Sequence, residues 1–233
     1  MEYLLWTLAG FLSGSVLYAS LIPRHLCHVD ICALSDDGNP GTANAFKYGG
    51  FFAGCLVILC ELLKAFFPVY LAAGRLDMTA LPFALVIAAP VAGHAFSIFH
   101  KGKGGKAIAA AFGAVLALFP NLTPFAALAF FYILFSVVIV VKPHLFRSIL
   151  SFFAFTAAVF ATVPFASVRT GCSFISLITI SKHLQSRRRL KARSCDRLSE
   201  PLCRGKEEAD DENTLSVRLL PCLTALFDKK HAL

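Results

Sequence analysis

Lys101, Lys103 and Lys106 alternate with Gly102, Gly104 and Gly105 in a run that ends where an apolar segment begins. Glycines let a backbone approach a phosphate closely, and lysines supply the balancing charge. A plain positive flank of a membrane segment needs the lysines but not the glycines. The nearest soluble parallel is the P-loop. The match fails because residue 100 is His rather than Gly, and Ala107 follows Lys106 where Ser or Thr would bind magnesium. The run therefore points to phosphate binding without nucleotide hydrolysis. Gly93-His94 precedes it, near the end of another apolar segment.

Three further polar features stand out. Residues 30–47 hold Asp30-Ile31, Ser35, Asp36, Asp37, the turn Gly38-Asn39-Pro40-Gly41, Asn44 and Lys47. Small side chains and backbone donors ahead of a helix can form a phosphate nest, although the same residues also make ordinary turns. Glu61 and Lys64 sit three residues apart inside an apolar segment. Ionisable groups at that depth are costly, so they are paired for structure or contribute to a site. His183 is followed by Arg187, Arg188, Arg189, Lys191 and Arg193, a run suited to anionic lipid heads. His25, Cys27, His28 and Cys32 match no common structural zinc spacing, so no metal site is expected.

The elements that must position these residues are membrane helices. Of 233 residues, 57% are apolar and 15% charged, and mean hydropathy is +0.69. That excludes disorder, a coiled coil and an ordinary soluble enzyme. Apolar segments cover 3–22, 49–73, 79–99, 107–119, 123–141, 148–168 and 172–181, giving an all-α polytopic membrane protein of about seven transmembrane helices. The first segment lacks a basic start and a cleavage site, and is expected to be retained. Gly10 and Gly14 give it a small-residue packing face, and Gly50 and Gly54 form a second pair. Basic residues favour the loops after odd-numbered segments, which places the N-terminus outside and the C-terminus in the cytoplasm. Residues 1–190 are expected to be membrane-embedded. Residues 191–233, with the acidic run Glu207–Glu212, form a charged cytoplasmic tail. The net charge of +8 is therefore read as facing lipid, with no nucleic-acid partner.

At these motifs the chain resembles the bacterial acyl-phosphate-dependent glycerol-3-phosphate acyltransferases, the PlsY type, over roughly residues 3–190. The residues that carry the resemblance are Asp30-Ile31, Gly38-Asn39-Pro40-Gly41, Asn44 and Lys47, then Gly93-His94 and Lys103-Gly104-Gly105-Lys106, then Glu61 and Lys64. The chain departs from the family pattern at Cys32 and Lys47, where Arg is usual. It also departs at Asp36-Asp37 before Gly38, at Thr42-Ala43, and at His183-Leu184-Gln185-Ser186, which lacks the usual Asn. These mark a divergent subgroup.

The resemblance implies transfer of an acyl chain from acyl phosphate to the 1-hydroxyl of glycerol 3-phosphate, giving lysophosphatidic acid and inorganic phosphate. The candidate substrate-binding residues are Ser35, Asp37, Gly38, Asn39, Gly41, Asn44, Lys47, Lys103, Gly104 and Gly105, and the candidate catalytic residues are His94, Lys106 and His183; the resemblance implies that a substrate phosphate oxygen can take the hydroxyl proton in place of a protein base. No cofactor is implied, since acyl phosphate is already activated. The partners are the two substrates and the bilayer. A monomer in the bacterial cell membrane is expected, with its site facing the cytoplasm. The competing reading is a transporter or flippase for a phosphorylated or lipid anion. The outer loops offer it almost no polar path beyond Arg75, Asp77, Asn121 and Arg169.

Overall fold

A computed structural model describes the backbone of residues 1–35 and 38–199 and the side chains of the same residues as far as 190. Among the described residues nine α-helices follow one another: α1 Glu2–Ser15, α2 Tyr18–Leu26, α3 Ile31–Leu34, α4 Thr42–Ala73, α5 Phe83–Ala95, α6 Ile108–Leu116, α7 Thr123–Ile133, α8 His144–Thr162 and α9 Ala166–Ser199. Glu2–Leu26, Thr42–Ala73, Phe83–His100 and His144–Thr162 are each long and apolar enough to cross a membrane, and Thr123–Val138 is a shorter apolar stretch.

Helix α5 stands at the centre, packed against α1 on one side and α9 on another. All of it is buried except Leu85 and Ala92. The other long helices bury one face and turn large apolar side chains outward. Leu5, Phe51, Phe67, Phe153 and Leu177 are among those exposed. That pattern suits a hydrocarbon surround, where association depends on close backbone packing rather than on escape from water.

The packing of α1 on α5 shows how close. A Cβ on Gly14 would stand 2.0 Å from the Pro90 carbonyl oxygen, and one on Gly93 would stand 2.1 Å from that of Phe11. The expected Gly10–Gly14 face is therefore the contact itself. The second pair divides. Gly54 receives the Phe46 ring, whereas Gly50 has nothing near it and a φ of +85°. Gly50 is thus the kink in α4, a conformation that costs glycine least.

The sequence places the break between the last two apolar segments at Arg169-Thr170-Gly171. The structure places it at Val163–Phe165. Pro164 has no N–H to donate and disfavours helical backbone in the residue before it. Gly171 instead lies inside α9, where a Cβ would come within 3.1 Å of the Ile87 side chain. The expected division at residue 190 falls within α9. The acidic run Glu207–Glu212 lies outside the described residues.

Replacing Gly93 with Ala drives a methyl group into a backbone carbonyl that cannot retreat. The expected cost is about 3 kcal/mol or more, seen as a fall in thermal midpoint in detergent. Gly74→Ala meets nothing closer than 3.8 Å. That variant is expected to stay within about 0.5 kcal/mol of the parent.

Candidate active site

The first polar loop is built by capping. The Asp30 carboxylate accepts from the N–H groups of Cys32 and Ala33, at 3.0 and 3.2 Å, and so starts α3. Gly38 turns the chain with a φ of +60°. Asn44 then donates from Nδ2 to the Asn39 carbonyl at 2.9 Å, and Gly41 N–H donates to that same oxygen at 2.9 Å. A Cβ on Gly41 would lie 2.7 Å from Asn39 Nδ2 and push that amide aside. These contacts fix the position of Asn39.

The second loop reverses through three left-handed residues, Lys101, Gly102 and Ala107. Gly104 and Gly105 lie on the end of α5. Gly105 N–H donates to the His94 carbonyl at 3.2 Å. A Cβ on Gly104 would stand 1.9 Å from that carbonyl oxygen, and one on Gly105 would stand 2.3 Å from His94 Nε2. No other residue type allows this approach.

Beneath the loop, the other face of the His94 ring meets charged groups from α4. His94 Nδ1 is 2.8 Å from Glu61 Oε2, and Lys64 Nζ is 2.6 Å from the same oxygen. All three side chains are buried. The network also closes the gap between α1 and α2. Lys64 donates to the Val16 carbonyl, and Glu61 Oε1 accepts from Ala19 N–H at 3.1 Å. Ser97 donates to the Ser15 carbonyl. Backbone groups freed by a break must find partners when no water is available.

A cleft forms where the two loops meet α9. It is lined by Asn39, Gly104, Gly105, Lys106, Lys182, Gln185, Ser186 and Arg189. None of these is acidic, and three are cationic. Lys182 is buried, with Nζ 4.9 Å from the centre of the Phe96 ring. It stands just past the apolar stretch 172–181. Burial pushes its ammonium below the ordinary lysine range, and Arg189 adds to the shift.

Of the residues expected from the sequence, Asn39, Gly104, Gly105 and Lys106 line this cleft. Gly41 and Asn44 support it from behind. Ser35 is buried, and its Oγ has no hydrogen-bond partner among the described residues. His94 lies under the loop. Lys47 and Lys103 are exposed and do not line the cleft, and Lys47 Nζ lies over the Tyr48 ring at 4.8 Å. His183 is buried beside the cleft and is not part of its lining. Asp37 lies outside the described residues. The sequence reading missed Lys182, Gln185, Ser186 and Arg189 as a set. Their spacing of three, one and three is the signature of a single helix face.

A family model described as Glycerol-3-phosphate acyltransferase matches residues 4–193. The glycerol-3-phosphate acyltransferase of Cupriavidus necator is 32% identical over 218 residues, covering 86% of this chain and 98% of that protein. The one from Shewanella loihica is 39% identical over 108 residues, covering 46% of this chain and 52% of that protein. With that relative and others like it, the chain spans about half their length. The crystal structure of PlsY, an integral membrane glycerol 3-phosphate acyltransferase in its glycerol 3-phosphate form, superposes with a TM-score of 0.71 at 22% identity. The match covers 86% of this chain and 100% of that one. The lysophosphatidic acid form gives a TM-score of 0.66 at 25% identity, over 82% and 93%. The fold is shared along nearly the whole described length, and the chain belongs to the glycerol-3-phosphate acyltransferase family.

Proposed function

We propose that the protein moves a fatty acyl group from acyl phosphate to the 1-hydroxyl of glycerol 3-phosphate, giving lysophosphatidic acid and inorganic phosphate. It does so as a monomer with about seven spans in the bacterial cell membrane, N-terminus outside, C-terminus and cleft in the cytoplasm. The observation that carries this reading is the cleft. Lys106, Lys182 and Arg189 converge with the Gly104–Gly105 backbone, with no carboxylate among the described lining residues. Both substrates carry phosphate, and such a lining favours that charge. Family membership and the substrate- and product-bound forms of PlsY support the same assignment.

The acyl chain needs an apolar path beside the cleft. A groove lined by Phe96, Ser181, Lys182, Leu184, Gln185 and Arg188 shares Lys182 and Gln185 with it. Phe96 and Leu184 are 44% and 43% exposed there, which suits a chain arriving from the lipid.

Acyl phosphate is a mixed anhydride, so no protein nucleophile is needed. The hydroxyl oxygen attacks the acyl carbonyl carbon and the bond from that carbon to the phosphate oxygen breaks. The hydroxyl proton passes to the departing phosphate. Holding both partners together removes about 7–11 kcal/mol of barrier. Lysine and arginine offset the charge that grows on the leaving phosphate.

Lys106→Met is expected to reduce glycerol 3-phosphate-dependent phosphate release from palmitoyl phosphate by about a hundredfold or more. Lys103→Ala, outside the cleft, is expected to lose less than about tenfold on the same ground. Equal losses contradict the assignment. Gly105→Ala places a methyl group against His94 and Pro40. Displacing the loop by about 1 Å is expected to cost about a hundredfold in turnover in a folded protein. Parental turnover in that variant contradicts the role given to the loop.

A further inference from the structure

We propose that Glu61 and Lys64 are positioning residues for the phosphate-binding loop and act through His94. The kinetic part of this inference rests on the acyl-transfer reading, whereas its structural part does not.

A clamp for the gap between α1 and α2 would need only two contacts, Lys64 to the Val16 carbonyl and Glu61 to Ala19 N–H. The network has a third arm. Glu61 Oε2 also holds His94 Nδ1 at 2.8 Å, and Lys64 Nζ stands 3.0 Å from that same nitrogen. The opposite side of the ring faces Gly105, with no space for even a methyl group between them. The carbonyl of the same histidine takes the Gly105 N–H. The loop is thus held by two parts of one residue, and the ring of that residue is oriented by α4. One side chain separates the carboxylate from the loop.

The chemistry of the network suits this task. A carboxylate beside an ammonium and an imidazole has few alternative arrangements once buried, because any rotation leaves a charge without its partner. Glu61 and Lys64 are 1% and 6% exposed. Second partners of a functional histidine fix its ring plane and with it whatever the ring touches. If the network releases the ring, the ring's free edge no longer defines where Gly105 sits. The backbone donors of the cleft then lose their common aim.

The test uses the full chain in detergent and two variants. Glu61→Gln/Lys64→Met removes both charges and keeps the volume. Glu61→Asp keeps the charge but withdraws the carboxylate from His94. Thermal midpoints establish folding, steady-state kinetics with palmitoyl phosphate and glycerol 3-phosphate give KM and kcat, and hydrogen exchange follows the amides of 103–107. The expected result is KM raised about fivefold or more for both substrates, with a smaller change in kcat, and about tenfold faster exchange at 103–107 with 83–92 unchanged. Folded variants with parental KM and parental exchange overturn the proposal. Loss of the fold in both variants makes the pair a structural clamp and also overturns it. An inactive parent protein contradicts the acyl-transfer reading. Exchange at 103–107 then decides the inference alone, and unchanged exchange overturns it.

Discussion

Charge cannot be left unmatched among apolar helices, and one buried cluster satisfies that demand for much of this fold. Glu61, Lys64 and His94 neutralise and hydrogen-bond one another between α4 and α5. In the same place they complete the backbone where the first long helix breaks between Ser15 and Tyr18. Removing one partner of such a cluster leaves a buried charge at a cost of several kcal/mol, so its members stand or fall together. The small-residue contact of α1 with α5 brings the break within reach of α4. Without Gly14 and Gly93 the two backbones could not approach so closely.

The site follows from that arrangement. Helix α5 ends in His94, the glycine loop lies on His94, and the loop, Asn39 and one face of α9 enclose the cationic cleft. In the proposed reaction rigid helices thus carry a loop whose donors meet a doubly charged ligand, which is the division of labour expected of a binding site. In the proposed reaction the protein contributes little covalent chemistry. It brings two phosphates together and balances their charge, while the anhydride supplies the driving force.

Much of this was legible in the sequence because the signals were local. The apolar segments, the glycine-interleaved lysines and the Gly38–Gly41 turn each announce themselves within a few residues. The family resemblance rests on the same stretches. What the sequence did not reveal depended on packing across the chain. Lys103 and Lys106 look equivalent on paper, but only Lys106 lines the cleft, because the chain reverses between Lys101 and Ala107. Gly50 and Gly54 have the spacing of a packing pair, yet one is a kink and the other a seat for Phe46. Arg169 and Gly171 read as a loop, whereas the break before α9 lies at Val163–Phe165. Gly171 instead lies inside α9 in close contact with Ile87, and Pro164 does the breaking. The pairing of Glu61 with Lys64 was readable from their spacing. Their link to His94, thirty-three residues from Glu61, was not.

The proposed reaction is a direct acyl transfer between two phosphorylated partners. Its most direct test is to supply the purified protein with palmitoyl phosphate and with glycerol 3-phosphate carrying heavy oxygen at the 1-hydroxyl. Mass spectrometry then follows both products. Direct transfer yields lysophosphatidic acid and inorganic phosphate in equal amounts, with the label retained in the ester and absent from the phosphate. Palmitate and phosphate released without labelled ester would contradict it.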